Sequence, residues 1–88
     1  MKEIFNDRKN RGNVTYRITL SNDSGRVSCF VQKLMKKRSQ EQDKKVTKKI
    51  VSEYRFFAEE IDDFRMICED EIMYEFCLES LKKVENDR

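Results

Sequence analysis

Apolar and polar residues alternate strictly over residues 14–20, Val-Thr-Tyr-Arg-Ile-Thr-Leu, which predicts a β-strand with one buried face. A turn follows at 22–25, where Asn22 suits the first position of a type I turn and Gly25 suits a left-handed bulge. The predicted hairpin has Asn22 facing Arg26. In that register one face gathers the apolar side chains Val14, Tyr16, Ile18, Leu20, Phe30 and Leu34.

The second strand of this hairpin has a competing interpretation. Val27, Phe30, Val31 and Leu34 also fit the spacing of a helix that begins after Ser24. The strand is favoured because Val, Cys and Phe are poor helix formers and the turn is well specified. Because a lone hairpin is marginally stable, Ile4 and Phe5 are candidates for a short third strand, with a polar linker between them and the hairpin.

The second half of the chain has helical periodicity. Ser39 to Gln42 matches a capping box, and apolar residues then recur at steps of three and four from Val46 to Cys68. This stripe predicts a long amphipathic helix over 40–68, and Asp70 is a candidate N-cap for a shorter helix over 70–84. Whether a break separates the two helices stays open at this stage.

The predicted fold class is therefore α+β. A small antiparallel β-hairpin or three-stranded sheet is followed by a long amphipathic helix and a shorter C-terminal helix. We expect one domain over 1–88, with residues 1–35 forming the hairpin part and residues 39–84 the helical part. The apolar sheet face should pack on the stripe from Val46 to Cys68.

The amino-acid composition excludes several kinds of catalytic and ligand-binding site. The chain has no His, Trp or Pro and only 2 Gly, so it encodes no imidazole base, no His-ligated metal and no glycine-rich phosphate loop. The three cysteines, Cys29, Cys68 and Cys77, form no Cys-x-x-Cys pair, and free apolar thiols are expected. We expect no catalytic residues, no cofactor, no metal site and no small-molecule substrate, and therefore a non-enzymatic protein.

Charge is distributed unevenly along the chain. Residues 1–49 hold 14 Lys and Arg against 5 Asp and Glu, whereas residues 50–88 hold 5 against 12. If residues 40–68 are helical, four lysines project opposite the apolar stripe. With their basic neighbours they predict an anion-binding surface suited to a nucleic-acid backbone, made of Arg8, Lys9, Arg11, Arg17, Lys36, Lys37, Arg38, Lys44, Lys45, Lys48 and Lys49.

The expected contacts of this surface are with phosphates. The predicted register sends Tyr16 and Phe30 to the core face, so stacking of bases on the sheet is not expected. Two other interpretations stay open. In the first, the lysine-rich face is exposed to solvent and binds no ligand. In the second, the basic and acidic halves neutralise each other within the fold or across a dimer.

The acidic half predicts a different interface. Phe56 and Met66 fall outside the main apolar stripe of the predicted helix, near the carboxylates of Glu59, Asp62 and Asp63. Exposed aromatic and Met side chains are typical anchors of protein interfaces. These five residues are the candidate contact with a partner protein or a second copy of the chain, and carboxylates at such spacing can also imitate DNA. The other interpretation of Phe56 and Met66 is a second line of contact with the other helix of the same chain.

The lysine- and glutamate-rich, proline-free composition resembles that of small phage or plasmid accessory proteins. The sequence therefore predicts an accessory or inhibitor protein that engages a nucleic acid, RNA or DNA, or a nucleoprotein such as a host-defence ribonucleoprotein. The alternative is a protein–protein inhibitor or dimerisation module that uses the acidic helix. No apolar run is long enough to span a membrane, and the N-terminus lacks a signal-peptide core, so a cytoplasmic protein is expected.

Overall fold

The computed structural model of the protein describes residues 2–37 and 47–86. Four antiparallel strands form one sheet in the order β1-β2-β3-β4, and two helices follow. The elements are β1 Lys2–Arg11, β2 Val14–Asp23, β3 Arg26–Lys37, β4 Thr47–Phe57, a single 3₁₀ turn Ala58–Glu60, α1 Ile61–Ile67 and α2 Glu71–Asn86. The α+β class and the sheet-then-helix order are confirmed.

The predicted long helix is wrong over much of its length. Thr47–Phe57 is strand β4, and helix begins only at Ile61. The segment is rich in β-branched and aromatic residues, and Tyr54 and Phe56, two positions apart, both point to the same side. A spacing of four residues fits both the helical period of about 3.6 and the strand period of about 2, so the apolar stripe alone did not distinguish helix from strand. The predicted cap at Ser39 lies outside the described residues.

The strand over 26–34 is confirmed, but the predicted register of the hairpin is wrong by one residue. Asp23 faces Arg26, and the turn consists of Ser24 and Gly25, with φ angles of 54° and 86°. Two positive φ angles define the tight turn whose twist matches that of the strands. The Asn22 side chain still accepts a hydrogen bond from Gly25 N at 3.0 Å.

A shift of one residue exchanges the two faces of β3. Cys29 and Val31 are therefore buried beside Leu20 and Ile18, which they face across the sheet. Phe30, placed in the core by the prediction, lies on the opposite side of the sheet and faces Thr19.

The first strand is longer than predicted, because β1 covers Lys2–Arg11 and not only Ile4 and Phe5. Its connection to β2 is Gly12 and Asn13, with Gly12 at a φ of 61°. Each outer strand carries one bulge. Ile4 is the extra residue in β1, and Val51 is the extra residue in β4.

One side of the sheet is covered by the helices. The core on this side combines residues of β2 and β3 with residues of both helices: Tyr16, Ile18, Leu20, Cys29, Val31, Phe64, Met73, Phe76 and Cys77. Most of the helical contribution comes from α2, and not from the predicted stripe over 46–68. Phe64 of α1 stacks on Phe56 with ring centroids 4.2 Å apart.

A real break separates the two helices. Cys68 is extended, with φ −84° and ψ 116°, and Asp70 caps α2 as predicted. Its Oδ1 accepts hydrogen bonds from the backbone N atoms of Ile72 and Met73 at 3.1 and 3.2 Å. Over the described part of the chain, every helix is too short or too polar to cross a membrane.

Candidate nucleic-acid interface

The side of the sheet away from α1 and α2 is called the open face, because no described helix packs on it. Strand alternation fixes which residues it carries. Those at its centre and its Arg26 end are Glu3, Asn6, Arg8, Arg17, Thr19, Ser21, Asp23, Arg26, Ser28, Phe30, Gln32, Glu53, Arg55 and Phe57. Toward the other end of the face Thr15 and Leu34 are buried, whereas Ile50, Lys36 and Lys48 are exposed. The centre and the Arg26 end of the open face are thus polar, with four arginines, three carboxylates and two aromatic rings.

Each aromatic ring of the open face is paired with an arginine. The guanidinium of Arg55 lies 4.8 Å from the ring centroid of Phe30, and that of Arg26 lies 3.6 Å from the centroid of Phe57. Arg26 also forms an ion pair with Glu59. Arg55 has no such carboxylate partner among the described residues. The Arg55 guanidinium therefore lies over the half-buried Phe30 ring and is itself exposed at the surface.

Two like-charged pairs lie directly opposite each other across the strands. Arg8 faces Arg17, and Lys36 faces Lys48. All four side chains are exposed. Like charges in facing positions destabilise a sheet, and within the described residues none of the four is in an ion pair. An external anion between them would relieve the repulsion.

Two hollows lie side by side on the open face. The arginine hollow, about 460 Å³, is lined by Glu3, Asn6, Asp7, Arg8, Arg17, Ile18 and Thr19. The hydroxyl hollow, about 170 Å³, is lined by Thr19, Ser21, Ser28, Phe30 and Arg55. Thr19 belongs to both. Two carboxylates also line the arginine hollow. Glu3 accepts a hydrogen bond at 3.0 Å from Asn6, another residue of the hollow, whereas Asp7 lies on the helix side by register and is 3.8 Å from Lys83 Nζ.

The predicted anion-binding residues are divided between the two sides of the sheet. Arg8, Arg17, Lys36 and Lys48 lie on the open face, whereas Lys9, Arg11 and Lys49 lie on the helix side by register. The predicted grouping of lysines on one helix face is wrong for Lys48 and Lys49, because neighbours in a strand point to opposite sides. For Lys37 only the backbone is described. Arg38, Lys44 and Lys45 lie outside the described residues.

One residue of the predicted protein interface lies elsewhere than expected. Phe56 is not an exposed anchor, because it lies on the helix side and stacks on Phe64. Met66 is 86% exposed on α1, and Asp62 and Asp63 are exposed on the same helix. Glu59 forms the ion pair with Arg26 described above.

A third cavity, about 580 Å³, lies on the helix side around Asp70. Tyr16 Oη donates a hydrogen bond to Asp70 Oδ2 at 2.7 Å, and Lys33 Nζ lies 2.9 Å from the same oxygen. Burial, with the hydrogen bond to Asp70, raises the pKa of Tyr16 to about 12. Burial alone would raise the pKa of Asp70, but the bonds from Lys33, Tyr16 and the Met73 backbone outweigh it and lower that pKa. At neutral pH the Tyr16 hydroxyl therefore stays protonated and the Asp70 carboxyl stays ionised, so their hydrogen bond stabilises the fold.

The cysteines are free thiols, as predicted, with Cys29 and Cys77 buried and Cys68 half-buried. The hydrogen bond with Cys29, together with burial, raises the pKa of the Cys77 thiol, and burial raises that of Cys68. Neither is therefore an activated nucleophile. Across residues 2–37 and 47–86, no three His, Cys, Asp or Glu side chains come together as a set that could hold a metal ion.

No protein-family model matches the chain, and no curated protein or solved structure is significantly similar to it. The geometry of the open face is therefore the basis for any functional argument. Sequence reasoning missed three of its residues, Phe30, Arg55 and Phe57. The available signal was the alternation in Glu53-Tyr54-Arg55-Phe56, which has the period of a strand.

Proposed function

We propose that the protein is a cytoplasmic, non-enzymatic accessory protein that binds single-stranded nucleic acid, free or within a nucleoprotein, through its open face. The observation that carries the proposal is the Phe30–Arg55 stack beside the Arg8–Arg17 pair. Binding there would block or regulate the target. A ribonucleoprotein of a host-defence system is one target of this kind.

The two features of the open face suit different parts of a nucleotide. Unpaired bases stack on aromatic rings and on guanidinium planes, and each such stack contributes about 1–3 kcal/mol. The facing arginines Arg8 and Arg17 provide cations for the phosphate that joins neighbouring bases. A single strand fits this arrangement better than a duplex, because bases in a duplex are already stacked on one another.

The first test measures binding of a labelled oligouridine of about 12 nucleotides, a length within the usual site sizes, by fluorescence anisotropy at about 50 mM salt. Phe30→Leu keeps an apolar side chain but removes the flat ring, and we expect it to weaken binding roughly 5- to 100-fold. Circular dichroism and the thermal midpoint establish that the variant is folded.

The chain offers a matched control for the charge. Arg55 and Arg65 are both exposed, and each lies over an aromatic ring, Phe30 on the open face and Tyr74 on the helix side. Arg55→Glu should weaken binding at least tenfold, and Arg65→Glu should have little effect. Equal losses in the two variants would mean that only net charge matters. Absence of binding by the wild-type protein would overturn the proposal.

The like-charged pair permits a second test in which affinity and stability move in opposite directions. Arg17→Thr removes the repulsion with Arg8 and places a β-branched residue in a strand, so stability should stay the same or rise by a few tenths of a kcal/mol. Affinity should fall, and the salt slope of log K against log[salt], about −2 for three phosphate contacts, should become shallower by roughly 0.7. An unchanged slope would show that Arg17 contacts no phosphate.

A second candidate function rests on the exposure of α1. Met66 and Ile67 are 86% and 64% exposed on the short helix that carries Asp62 and Asp63. An apolar anchor on a helix that also carries two exposed carboxylates and Arg65 suits a charged protein partner or, as predicted, a second copy of the chain. Light scattering gives the mass of the protein in solution, and a Met66→Glu variant tests the contact. A dimer that persists in this variant would exclude α1 as its interface.

A further inference from the structure

The hydroxyl hollow has a lining that phosphate contacts and base stacking do not explain. Thr19, Ser21 and Ser28 present three hydroxyl groups beside Phe30 and Arg55. Ser21 faces Ser28 directly across the strands, and Thr19 faces Phe30. Ser28 is only 8% exposed and therefore lies at the floor of the hollow.

These hydroxyl groups are free to bind a ligand. No hydrogen bond joins the Thr19, Ser21 or Ser28 hydroxyl to any other described side chain, although facing Ser and Thr residues in sheets commonly bond to each other. A hydroxyl both donates and accepts, so the group recognises a ligand hydroxyl as readily as an amide. Among the described residues of the open face, these three hydroxyl groups form a neutral cluster beside Arg55 and Phe30 that suits a ligand hydroxyl.

The order of the two hollows follows the order of parts in a nucleotide. The arginine hollow suits a phosphate, the hydroxyl hollow adjoins it through Thr19, and the Phe30–Arg55 stack borders the hydroxyl hollow. A strand with its phosphate at Arg8 and Arg17 and its base on Phe30 would place its sugar over Thr19, Ser21 and Ser28.

We propose that the hydroxyl hollow receives the ribose 2′-hydroxyl, and that the protein therefore selects single-stranded RNA over single-stranded DNA. This inference rests on the proposed function, because it specifies which nucleic acid the open face binds. The 2′-hydroxyl is the group by which proteins distinguish RNA from DNA at a given site.

The test compares oligouridine with oligodeoxyuridine of the same length, because these strands differ only in the 2′-hydroxyl. The wild-type protein should bind oligouridine about 5- to 10-fold more tightly, the effect of one hydrogen bond or two. The triple variant Thr19→Val, Ser21→Ala and Ser28→Ala should bind both strands with the affinity that the wild type has for oligodeoxyuridine. The single variant Thr19→Val is nearly isosteric and should lose part of the preference for oligouridine. It replaces the triple variant in this test if the triple variant does not fold.

The control is Ser52→Ala, which removes a hydroxyl from the helix side of β4 and should leave the preference unchanged. Equal wild-type affinity for the two strands, or a preference for oligodeoxyuridine, would overturn this inference while the proposed function stands. An undiminished preference for RNA in folded Thr19→Val and triple variants would also overturn it. Binding to neither strand would instead overturn the proposed function.

Discussion

Asp70 joins three parts of the molecule, and its replacement by alanine is the sharpest test of the fold. Its Oδ1 caps α2 through Ile72 N and Met73 N, while its Oδ2 accepts the hydroxyl of Tyr16 and contacts Lys33 Nζ. Asp70→Ala removes all of these interactions without adding bulk. We therefore expect a loss of stability well above that of an ordinary helix-capping substitution.

The size of the loss follows from burial. Removing an N-cap costs about 1 kcal/mol. The Tyr16 residue is 3% exposed, so its hydroxyl would lose its acceptor in a buried position, which costs about 1–3 kcal/mol. The contact with Lys33 adds less than about 1 kcal/mol, because both side chains remain partly solvated. The expected loss is about 3 kcal/mol, which lowers the thermal midpoint of a domain of this size by roughly 10–25 °C.

Asp70→Asn is the matched control. Asn is as good an N-cap as Asp and keeps an acceptor for Tyr16, so this variant should lose only about 1 kcal/mol. The assay is urea unfolding followed by circular dichroism, with the m-value checked for constancy. A loss below about 1 kcal/mol in Asp70→Ala, or equal losses in the two variants, would refute the assignment of Asp70 as cap and acceptor together.

The lowered pKa of Asp70 makes the stability of the protein depend on pH, and the same unfolding experiment can measure this dependence. Because the folded state lowers this pKa, the charged carboxylate stabilises the native protein above its unfolded value of about 3.9. That stability is lost as the pH falls through the lower pKa of the folded state. The advantage of the wild type over Asp70→Asn should therefore be constant near neutral pH and shrink below about pH 4. An advantage that grows with acid would contradict the direction of the shift.

Three further outcomes follow from the core and the turn. Phe64→Ala should cost about 3–5 kcal/mol in urea unfolding, because the ring is 1% exposed and stacks on Phe56, and a loss under about 1 kcal/mol would contradict this packing. Gly25→Ala should cost about 1–2 kcal/mol, because φ is 86°, and an unchanged midpoint would mean that another turn forms. In a thiol-reagent assay Cys77, buried and of raised pKa, should react only as the protein unfolds, so rapid native labelling would show that the core opens.

Several local features of this fold could be predicted from the sequence. The alternation over 14–20 marks β2, Asn22 and Gly25 mark the turn, and Asp70 marks the start of α2. Each depends on a few neighbouring residues, although the turn residues left the register of the hairpin undecided by one residue. Free thiols could likewise be predicted, because the three cysteines are odd in number and form no Cys-x-x-Cys pair.

The features that were predicted wrongly depend on residues that are distant in the sequence. Whether Phe30 faces the helices or solvent is decided by one residue of register, which Ser24 sets by adopting a positive φ that non-glycine residues seldom take. Whether Thr47–Phe57 is strand or helix is decided by pairing with β3, which the spacing of Ile50 and Tyr54 does not reveal. The open face is affected by both errors, so the sequence could suggest a basic surface but not the Phe30–Arg55 pair.

The bulges at Ile4 and Val51 have a consequence for how the protein behaves at high concentration. A sheet edge that pairs with no further strand can template the addition of further chains, and no other described strand pairs with β1 or β4 on its outer side. Both outer strands carry apolar side chains, Ile4 and Val51, that are 39% and 50% exposed. An extra residue in each strand interrupts the regular row of backbone donors and acceptors that a docking chain would need. Deleting Val51 would restore that row along β4, and fibrous aggregates in place of dispersed protein are the expected result.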